Sequence, residues 1–362
     1  MAETPVIVSH EKLQAFIISV LEAFKMPRQT AELTARLMVR TDLRGVDSHG
    51  IGMLPRYVEW IRGGFIIPWA EPVIARDDMA TGLVDGQQAL GYYPSTVAME
   101  LAIAKARTYG VGIVAVRNSN HFGAAANYST MALPHNMLGL ATTNAPNVAM
   151  VPTFGRKAML STNPISVAAP AGAHAPFVLD MATTTVAIGK LSIAARWGRP
   201  IPEGWAVDGE GHPTTDPNLA LASRLLSPLG GSRELGGHKG YGLGVLVDVL
   251  SGVLSGGVYG DLFFRSDMAE KRQHNVGHWF AAIDIARFRP VEEFKAAMDD
   301  MLRALKESPR AEGEERIYTA GEPEAECERR RLVEGIPLAP TLVRQVGEIA
   351  DSLGLPRLVP SP

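Results

Sequence analysis

Residues 42–57 read Asp42-Leu-Arg-Gly-Val-Asp-Ser-His-Gly-Ile-Gly-Met-Leu-Pro-Arg-Tyr57. This stretch places two acids, two arginines, a serine and a histidine around three glycines, where a predicted amphipathic helix ends. Glycine allows the backbone to turn tightly or to approach a ligand closely. Histidine is the side chain best suited to exchange a proton near neutral pH. The pattern is therefore typical of one wall of an active site.

Two further polar clusters with glycines occur along the chain. Residues 118–126 (Asn-Ser-Asn-His-Phe-Gly-Ala-Ala-Ala) follow a predicted buried strand, and residues 236–244 (Gly-Gly-His-Lys-Gly-Tyr-Gly-Leu-Gly) begin a predicted helix. Because the rest of the chain is largely apolar, the three clusters together predict one assembled active site.

The composition excludes several classes of protein. The chain has 362 residues, of which 46% are hydrophobic and 20% are charged, so it has ample material for a core and is not disordered. The formal net charge is -3, and no basic stripe interleaves with aromatic residues, which predicts no nucleic-acid partner. The arginines at 329–331 stand among glutamates and indicate a solvated helix face.

Cysteine usage and hydropathy bear on the compartment. Cys327 is the only cysteine, which excludes an intrachain disulfide and a thiolate metal cluster. Residues 1–8 lack the pattern of a secretory signal. The most apolar stretch, 241–258, contains Asp248 and several glycines, which favours a buried helix over a membrane span. We expect a cytoplasmic protein with no bound metal and no membrane contact.

Hydrophobic periodicity predicts helical ends around an alternating middle. Helices are predicted from Ser9, from Thr30 to about Gly45, and at 95–109, 123–133, 184–197, 239–254, 291–306, 322–332 and 339–353. Strands are predicted at 111–116, 138–143, 165–169, 176–180 and 279–285. Residues 66–80 and 200–217 are predicted to be irregular connections.

This order predicts an α/β protein in three units. Residues 1–75 form an N-terminal helical unit, and residues 76–290 form the central α/β domain. Residues 291–362 form a C-terminal helical segment, which packs with the N-terminal unit.

Common nucleotide and hydrolase motifs are missing. The sequence contains no G-x-G-x-x-G after a strand, no G-x-x-x-x-G-K-[ST], no G-x-S-x-G and no H-E-x-x-H. Spacing alone therefore indicates neither a Rossmann dinucleotide site nor a serine hydrolase nor a zinc site.

Each candidate residue also has a purely structural interpretation. Ser48 and His49 can face one cavity, or His49 can simply cap the helix that ends there. His121 follows a predicted strand at its carboxyl end, where ligands bind in α/β sheets. Asp180 can cap a helix or orient a histidine. Lys239 can hold a phosphate or lie on the surface.

Seven stretches carry a resemblance to a known family. The chain resembles the malate/L-lactate dehydrogenase-like reductases of 2-oxo acids, which also include ureidoglycolate and sulfolactate dehydrogenases and reductases of cyclic 2-imino acids. The matching stretches are 44–50 (RGVDSHG), 119–125 (SNHFGAA), 161–164 (STNP), 179–183 (LDMAT), 202–208 (PEGWAVD), 238–242 (HKGYG) and 321–323 (GEP).

The resemblance implies a sulfolactate-dehydrogenase-like fold unlike a Rossmann domain, with a central mixed sheet and a helical domain built from both chain ends. It implies an NAD- or NADP-dependent oxidoreductase that acts as a homodimer. His121 corresponds to a proposed proton donor or acceptor, and Ser48, His49 and Asp180 to a proposed relay. The implied cofactor contacts are His121, Phe122, Gly123, Ala124, Ala125, Asn144, Asp180, Met181, Ala182, Lys239, Gly321, Glu322 and Pro323.

One position departs from the family pattern. Relatives often carry arginine where this chain has Met53, and methionine cannot hold a carboxylate as a guanidinium does. Arg44 or Arg56 is therefore expected to bind the substrate carboxylate, or the substrate differs. The alternatives to a 2-hydroxy acid dehydrogenase are a cyclic 2-imino acid reductase (Δ1-piperideine- or Δ1-pyrroline-2-carboxylate) and a nucleotide-binding protein without catalysis.

Overall fold

A seven-stranded mixed sheet forms the centre of the structure, a computed structural model that describes residues 4–264 and 270–360. Its order is β2-β3-β4-β11-β5-β6-β7, with β3 parallel to β4 and the other neighbours antiparallel. The strands are β2 Val73–Asp78, β3 Thr81–Asp85, β4 Val111–Ser119, β5 Met137–Thr143, β6 Ile165–Ala169, β7 Phe177–Met181 and β11 Val276–Asp284. The predicted α/β fold class is confirmed.

Two small sheets accompany the central one. Strand β1 (Val6–Val8) pairs antiparallel with β12 (Ile336–Leu338), so the two ends of the chain meet in space. A three-stranded sheet has the order β10-β8-β9, from Leu225–Leu226, Ala206–Val207 and Pro213–Thr214. The pairing of β1 with β12 agrees with the predicted helical domain built from both ends.

Helices pack around the sheet and at the chain ends. Leu13, Ile17 and Leu21 form the buried face of the first helix, and Ser9 caps it by accepting the amide of Lys12. The helices are α1 His10–Ala23, α2 Arg28–Leu43, α3 Leu54–Arg62, α4 Tyr92–Tyr109, α5 Ala126–Ser129, α6 Ile188–Arg196, α7 Pro217–Ser223, α8 Gly237–Asp248, α9 Val291–Glu307, α10 Glu322–Glu334 and α11 Pro340–Ser352.

Several predicted boundaries were wrong for identifiable reasons. The connection predicted at 66–80 contains β2, an exposed edge strand with charged residues, which therefore lacks the apolar alternation of a buried strand. The loop predicted at 200–217 contains β8 and β9, and β1, β3 and β12 were also missed. Such short strands depend on pairing with distant partners, and local sequence does not reveal that pairing.

Several predicted helices also differ from the observed ones in their bounds. The helix predicted at 184–197 begins only at Ile188, after an extended Ala187. The helix predicted at 123–133 is α5 followed by a 3₁₀ helix at Thr130–His135, and the one predicted at 239–254 is α8 followed by a π-helical turn at Val249–Val253. The parts of the three predicted units at 1–3, 265–269 and 361–362 lie outside the described residues.

Candidate active site

A cavity of about 430 Å³ lies between the turn that follows α2, the segment after β4, the end of β7 and the start of α10. This volume is within the usual range for small-molecule sites. The lining residues are Thr41, Arg44, Val46, Ser48, His49, Gly123, Ala124, Ala125, Ala126, Asn127, Thr162, Pro164, Val178, Leu179, Asp180, Ala182, Tyr318, Thr319, Ala320, Gly321, Pro323 and Glu324. Two of the three polar clusters therefore meet at one cavity, together with three further family stretches, 161–164, 179–183 and 321–323.

His49 stands on the turn that follows α2. Its Nδ1 lies 2.8 Å from Ser48 Oγ, and no described residue bonds its Nε2. The ring stacks on that of His121, with 5.5 Å between ring centroids. Withdrawal from bulk solvent lowers the pKa of His49, so the neutral ring predominates at pH 7.

His121 lies two residues beyond the end of β4, which is longer than predicted. Its Nδ1 accepts the amide N–H of Gly123 at 3.3 Å and lies 2.7 Å from Tyr57 Oη. The described residues provide no partner for Nε2. Tyr57 Oη can donate to Nδ1 or accept from it, so the neutral ring can also carry its proton on Nδ1, which leaves a lone pair on Nε2. Desolvation first, and then the nearby histidines, lower the pKa of His121 well below its ordinary value.

Two buried tyrosines behind His121 were missed by the sequence analysis. Tyr57 Oη lies 3.3 Å from Tyr92 Oη, and both side chains are fully buried. Gly123 adopts φ +78°, and a Cβ there would stand 2.5 Å from Tyr92 Oη, so the backbone needs glycine to pass the phenol. Burial raises the pKa of both phenols, which stay neutral donors. Tyr57 lies within the quoted residues 42–57, but a tyrosine on an apolar helix face does not indicate a catalytic role in the sequence.

Asp180 ends β7 and contributes the carboxylate of the cavity wall. Its Oδ2 accepts the amide N–H of Ala126 at 2.8 Å, and no hydrogen bond joins it to either imidazole. The carboxyl has free surface towards the cavity, but surrounding protein removes it from bulk water and raises its pKa to about 6. The amide of Ala126 and the charge of Arg44 counteract this rise, whereas Glu324 adds to it.

The two candidate arginines lie in different places. Arg44 lines the cavity, and its Nη1 donates to Glu328 Oε2 at 3.0 Å. Arg56 is exposed and pairs with Glu59 on the outer face of α3, away from the cavity. The buried face of that helix carries Tyr57, and neighbouring residues on a helix diverge by about 100°. Met53 packs against the hydrophobic core.

Six predicted cofactor contacts do not line the cavity: His121, Phe122, Asn144, Met181, Lys239 and Glu322. Phe122 stacks on His278 in the core. The side chain of Asn144 hydrogen-bonds to Val258, Asp248 and Gly277. Glu322 pairs with Lys306. Lys239 is exposed at the start of α8, and Met181 pairs with Ile165 at the end of β7.

The short helix after Gly123 does not offer its first amide to an anion. Helix α5 has four residues, and the first of its amides, that of Ala126, already donates to Asp180. The amide of Ala126 is therefore not available to a phosphate. Across 4–264 and 270–360, no group of three or more His, Cys, Asp or Glu side chains is arranged to hold a metal ion. Within the same ranges, no helix is both long and apolar enough to span a membrane.

Comparison with known proteins places the chain in a family. Residues 8–347 match the family model described as malate/L-lactate dehydrogenase. The chain belongs to this family. As a member, it is an oxidoreductase of the class that interconverts 2-hydroxy and 2-oxo acids, and a nicotinamide cofactor is implied.

Relatives from three branches share most of the chain. A malate dehydrogenase of Pyrococcus abyssi is 42% identical, over 98% of this chain and 96% of its own. The structure of sulfolactate dehydrogenase from Methanocaldococcus jannaschii superposes with a TM-score of 0.88 at 40% identity, covering 97% of this chain and 98% of that one. A Δ1-pyrroline-2-carboxylate/Δ1-piperideine-2-carboxylate reductase of Pseudomonas putida is 35% identical over 70% of this chain and 72% of its own. The predicted sulfolactate-dehydrogenase-like fold is confirmed.

Proposed function

We propose that the cavity is the active site of an NAD- or NADP-dependent dehydrogenase that interconverts a small 2-hydroxy acid and its 2-oxo acid. One observation carries the proposal. The imidazole of His49, which lines the cavity, stacks on that of His121, and both rings are held through Nδ1 with Nε2 left without a partner among the described residues. Such rings can exchange a proton with a substrate oxygen.

The proton transfer follows from the lowered pKa of His121. At neutral pH the ring is neutral, and when its proton is on Nδ1, bonded to Tyr57 Oη, the lone pair of Nε2 can accept the hydroxyl proton of a 2-hydroxy acid as that acid is oxidised. In the reverse direction, the protonated ring returns the proton to the oxygen of the 2-oxo acid. Tyr57 and Gly123 fix the ring in place through Nδ1. His49 stacks against it and completes the cavity wall.

The substrate carboxylate pairs with Arg44 in this proposal. Arg44 is the arginine among the cavity-lining residues, and its planar guanidinium can bond both oxygens of a carboxylate. We expect Arg44→Lys to raise the apparent KM for substrate several-fold, about 5-fold or more, because an ammonium cannot bond both oxygens. Arg56→Lys, on the surface, is the matched control. Steady-state kinetics on one substrate that show equal KM for both variants would place carboxylate binding elsewhere.

The lining residues suit a nicotinamide cofactor in their chemistry. The backbone at 123–125 and 319–321 forms a wall without bulky side chains, and Asp180 offers acceptor oxygens for ribose hydroxyls. We propose that Gly123, Ala124, Ala125, Ala182, Gly321 and Pro323 contact this cofactor. The cofactor supplies hydride chemistry at the substrate C2, and the chain's own residues orient the substrate and exchange the proton.

The direct test is an absorbance assay at 340 nm. NADH and NADPH are each offered with oxaloacetate, sulfopyruvate, pyruvate, 2-oxoglutarate and a cyclic 2-imino acid. Oxidation of one cofactor with a 2-oxo acid is the expected result. Fluorescence titration of the same cofactors separates two failures. Binding without turnover indicates a nucleotide-binding protein without catalysis, whereas absence of binding removes the cofactor proposal.

A reductase of cyclic 2-imino acids is the second candidate. Met53, in place of the arginine common among relatives, favours a substrate with a different anchoring pattern. The 2.8 Å contact of Ser48 Oγ with His49 Nδ1 provides a ring held for proton transfer to an imine nitrogen. Turnover of the imine alone in the same assay would select this candidate.

We further propose that the chain works as a homodimer. Helix α8 and the turn after it expose Leu246, Val249, Val253 and Leu254, each between 46% and 61% exposed. A patch of this kind normally marks an interface. Light scattering should give twice the single-chain mass of 38.9 kDa, and Leu246→Asp should lower it. A wild-type mass near 38.9 kDa would contradict the proposal.

A further inference from the structure

The turn that carries Ser48 and His49 is held from behind by two buried residues. We propose that Asp42 and Arg331 are positioning residues, which hold the turn at 45–51 and thereby place the imidazole of His49 at the cavity. The inference rests on the proposed function of that imidazole, because neither residue is itself assigned a contact with substrate.

Asp42 closes the turn onto the end of α2. The side chain is buried, and its Oδ2 accepts the amide N–H of Ile51 at 2.8 Å, which bridges nine residues of chain. A Cβ built at Gly50 would stand 1.9 Å from Oδ1 of the same carboxyl, so the backbone next to His49 lies directly on this group. The carboxyl of Asp42 therefore holds the C-terminal end of the turn in place.

Arg331 fixes its entrance from another part of the chain. This buried arginine on α10 donates through Nη1 to the main-chain oxygen of Asp42 at 2.5 Å and to the carboxylate of Asp47. Its Nη2 donates to Asp47 Oδ2 at 3.2 Å. The residue directly before Ser48 is thus bound by a planar fork, the geometry in which guanidinium binds carboxylate best.

Helix α10 also reaches the cavity. Its first turn lines the cavity with Pro323 and Glu324, and Glu328 further along bonds Arg44 at 3.0 Å. One rigid helix therefore contacts the cavity wall at its start and holds the His49 turn at Arg331. The position of the turn relative to that wall is set by this helix.

The charge state of Asp42 decides which substitution is conservative. Burial raises the pKa of Asp42 to about 8, Asp47 adds to the rise, and the Ile51 amide and Arg331 oppose it. Tyr92 is a further titratable group that senses its charge. At pH 7 the carboxyl is therefore mostly neutral, and Asp42→Asn keeps a neutral acceptor for Ile51, whereas Asp42→Ala removes it.

The experiment combines hydrogen exchange with kinetics. Asp42→Ala and Arg331→Met should speed amide exchange in the peptide covering 45–51 by about 5-fold or more, since each loses a bond that holds the turn. With NADH and oxaloacetate, kcat should fall about 10-fold or more, because small displacements of a catalytic group are costly. The KM for NADH should stay unchanged. Asp42→Asn should restore both readouts, and Arg330→Met, an exposed neighbour on α10, should match wild type.

Several outcomes would overturn the inference. Unchanged exchange in both variants shows that the two residues do not hold the turn, and faster exchange with unchanged kcat shows that holding it does not matter for the reaction. If Asp42→Ala fails to fold, Arg331→Lys, which cannot bond both oxygens of Asp47, provides the same test. Wild-type protein that turns over no 2-oxo acid would refute the proposed function, while the exchange data would still decide whether the turn is held.

Discussion

The stacked histidines His49 and His121, of which His49 lines the cavity, and the histidine within the sheet show what distinguishes a reactive imidazole from a structural one. His278 lies on β11 and is fully buried, with Nδ1 2.6 Å from Thr143 Oγ1 and Nε2 2.8 Å from Ser119 Oγ. Its ring also stacks on Phe122 at 4.7 Å between centroids. His121 uses Nδ1 alone, towards Tyr57 and Gly123. Both nitrogens of His278 are therefore satisfied, whereas His121 retains one for a ligand.

A lowered pKa does not separate the two. Burial lowers the pKa of His278 to about 3, and it lowers that of His121 in the same direction. The environment that makes a ring neutral is shared, but only a ring with an unbonded nitrogen at a cavity can use that neutrality in a reaction. The comparison predicts that the same substitution type will cost activity at one site and stability at the other.

The largest effect is expected at the cavity. At least one of His121→Asn and His49→Ala should lower kcat by roughly 10²-fold or more, because a general acid or base contributes mainly in the transition state. Cofactor affinity, measured by fluorescence titration, should change little. Near-full turnover in both variants would show that neither imidazole transfers the proton.

Within the sheet, the cost should appear as stability. His278→Leu leaves the hydroxyls of Ser119 and Thr143 without the ring and should lower the free energy of unfolding by about 1–3 kcal/mol. Denaturant unfolding measures this loss, and kcat per folded molecule should stay near wild type. A large loss of kcat with unchanged stability would erase the distinction between the two regions.

A smaller effect is expected behind the cavity. Tyr57→Phe removes the phenol from His121 Nδ1 and should lower kcat by about 10-fold, the equivalent of one hydrogen bond to a reacting group. Tyr128→Phe is the matched control, because its buried Oη donates to Phe122 O at 2.6 Å and does not contact His121. If both variants have the same kcat, Tyr57 contributes only to packing.

The sequence predicted the location of the site more accurately than it predicted the edge strands and short strands. Two of the three predicted clusters, at 42–57 and 118–126, line one cavity together with Asp180 and Gly321, whereas the third, at 236–244, does not reach it. Polar residues with glycines are unusual in an apolar chain, which made the first two visible. The strands β2 and β9 were missed, since edge and very short strands depend on partners distant in sequence. Local pattern carries little information about such pairing.

Residue roles inside the site were harder to predict than its location. Phe122 and Asn144 belong to matching or expected stretches, yet both side chains are used within the core. Arg56 is one residue from Tyr57 but lies on the opposite, exposed face of α3. Which face of a helix meets a cavity is decided by tertiary packing, and one sequence does not specify it.

The most direct test of the account is the pH dependence of kcat/KM for oxidation of a 2-hydroxy acid. Because the pKa of His121 lies below its ordinary value of 6.5, the ring is protonated only at lower pH, where it cannot accept the hydroxyl proton. The rate should therefore be level around neutral pH and fall only at acid pH, well below the ordinary value of 6.5. This acid limb should disappear in His121→Asn and persist in Asp180→Asn, which removes a carboxyl with a pKa of about 6. An unchanged limb and rate in His121→Asn would contradict the assignment of proton transfer to this residue.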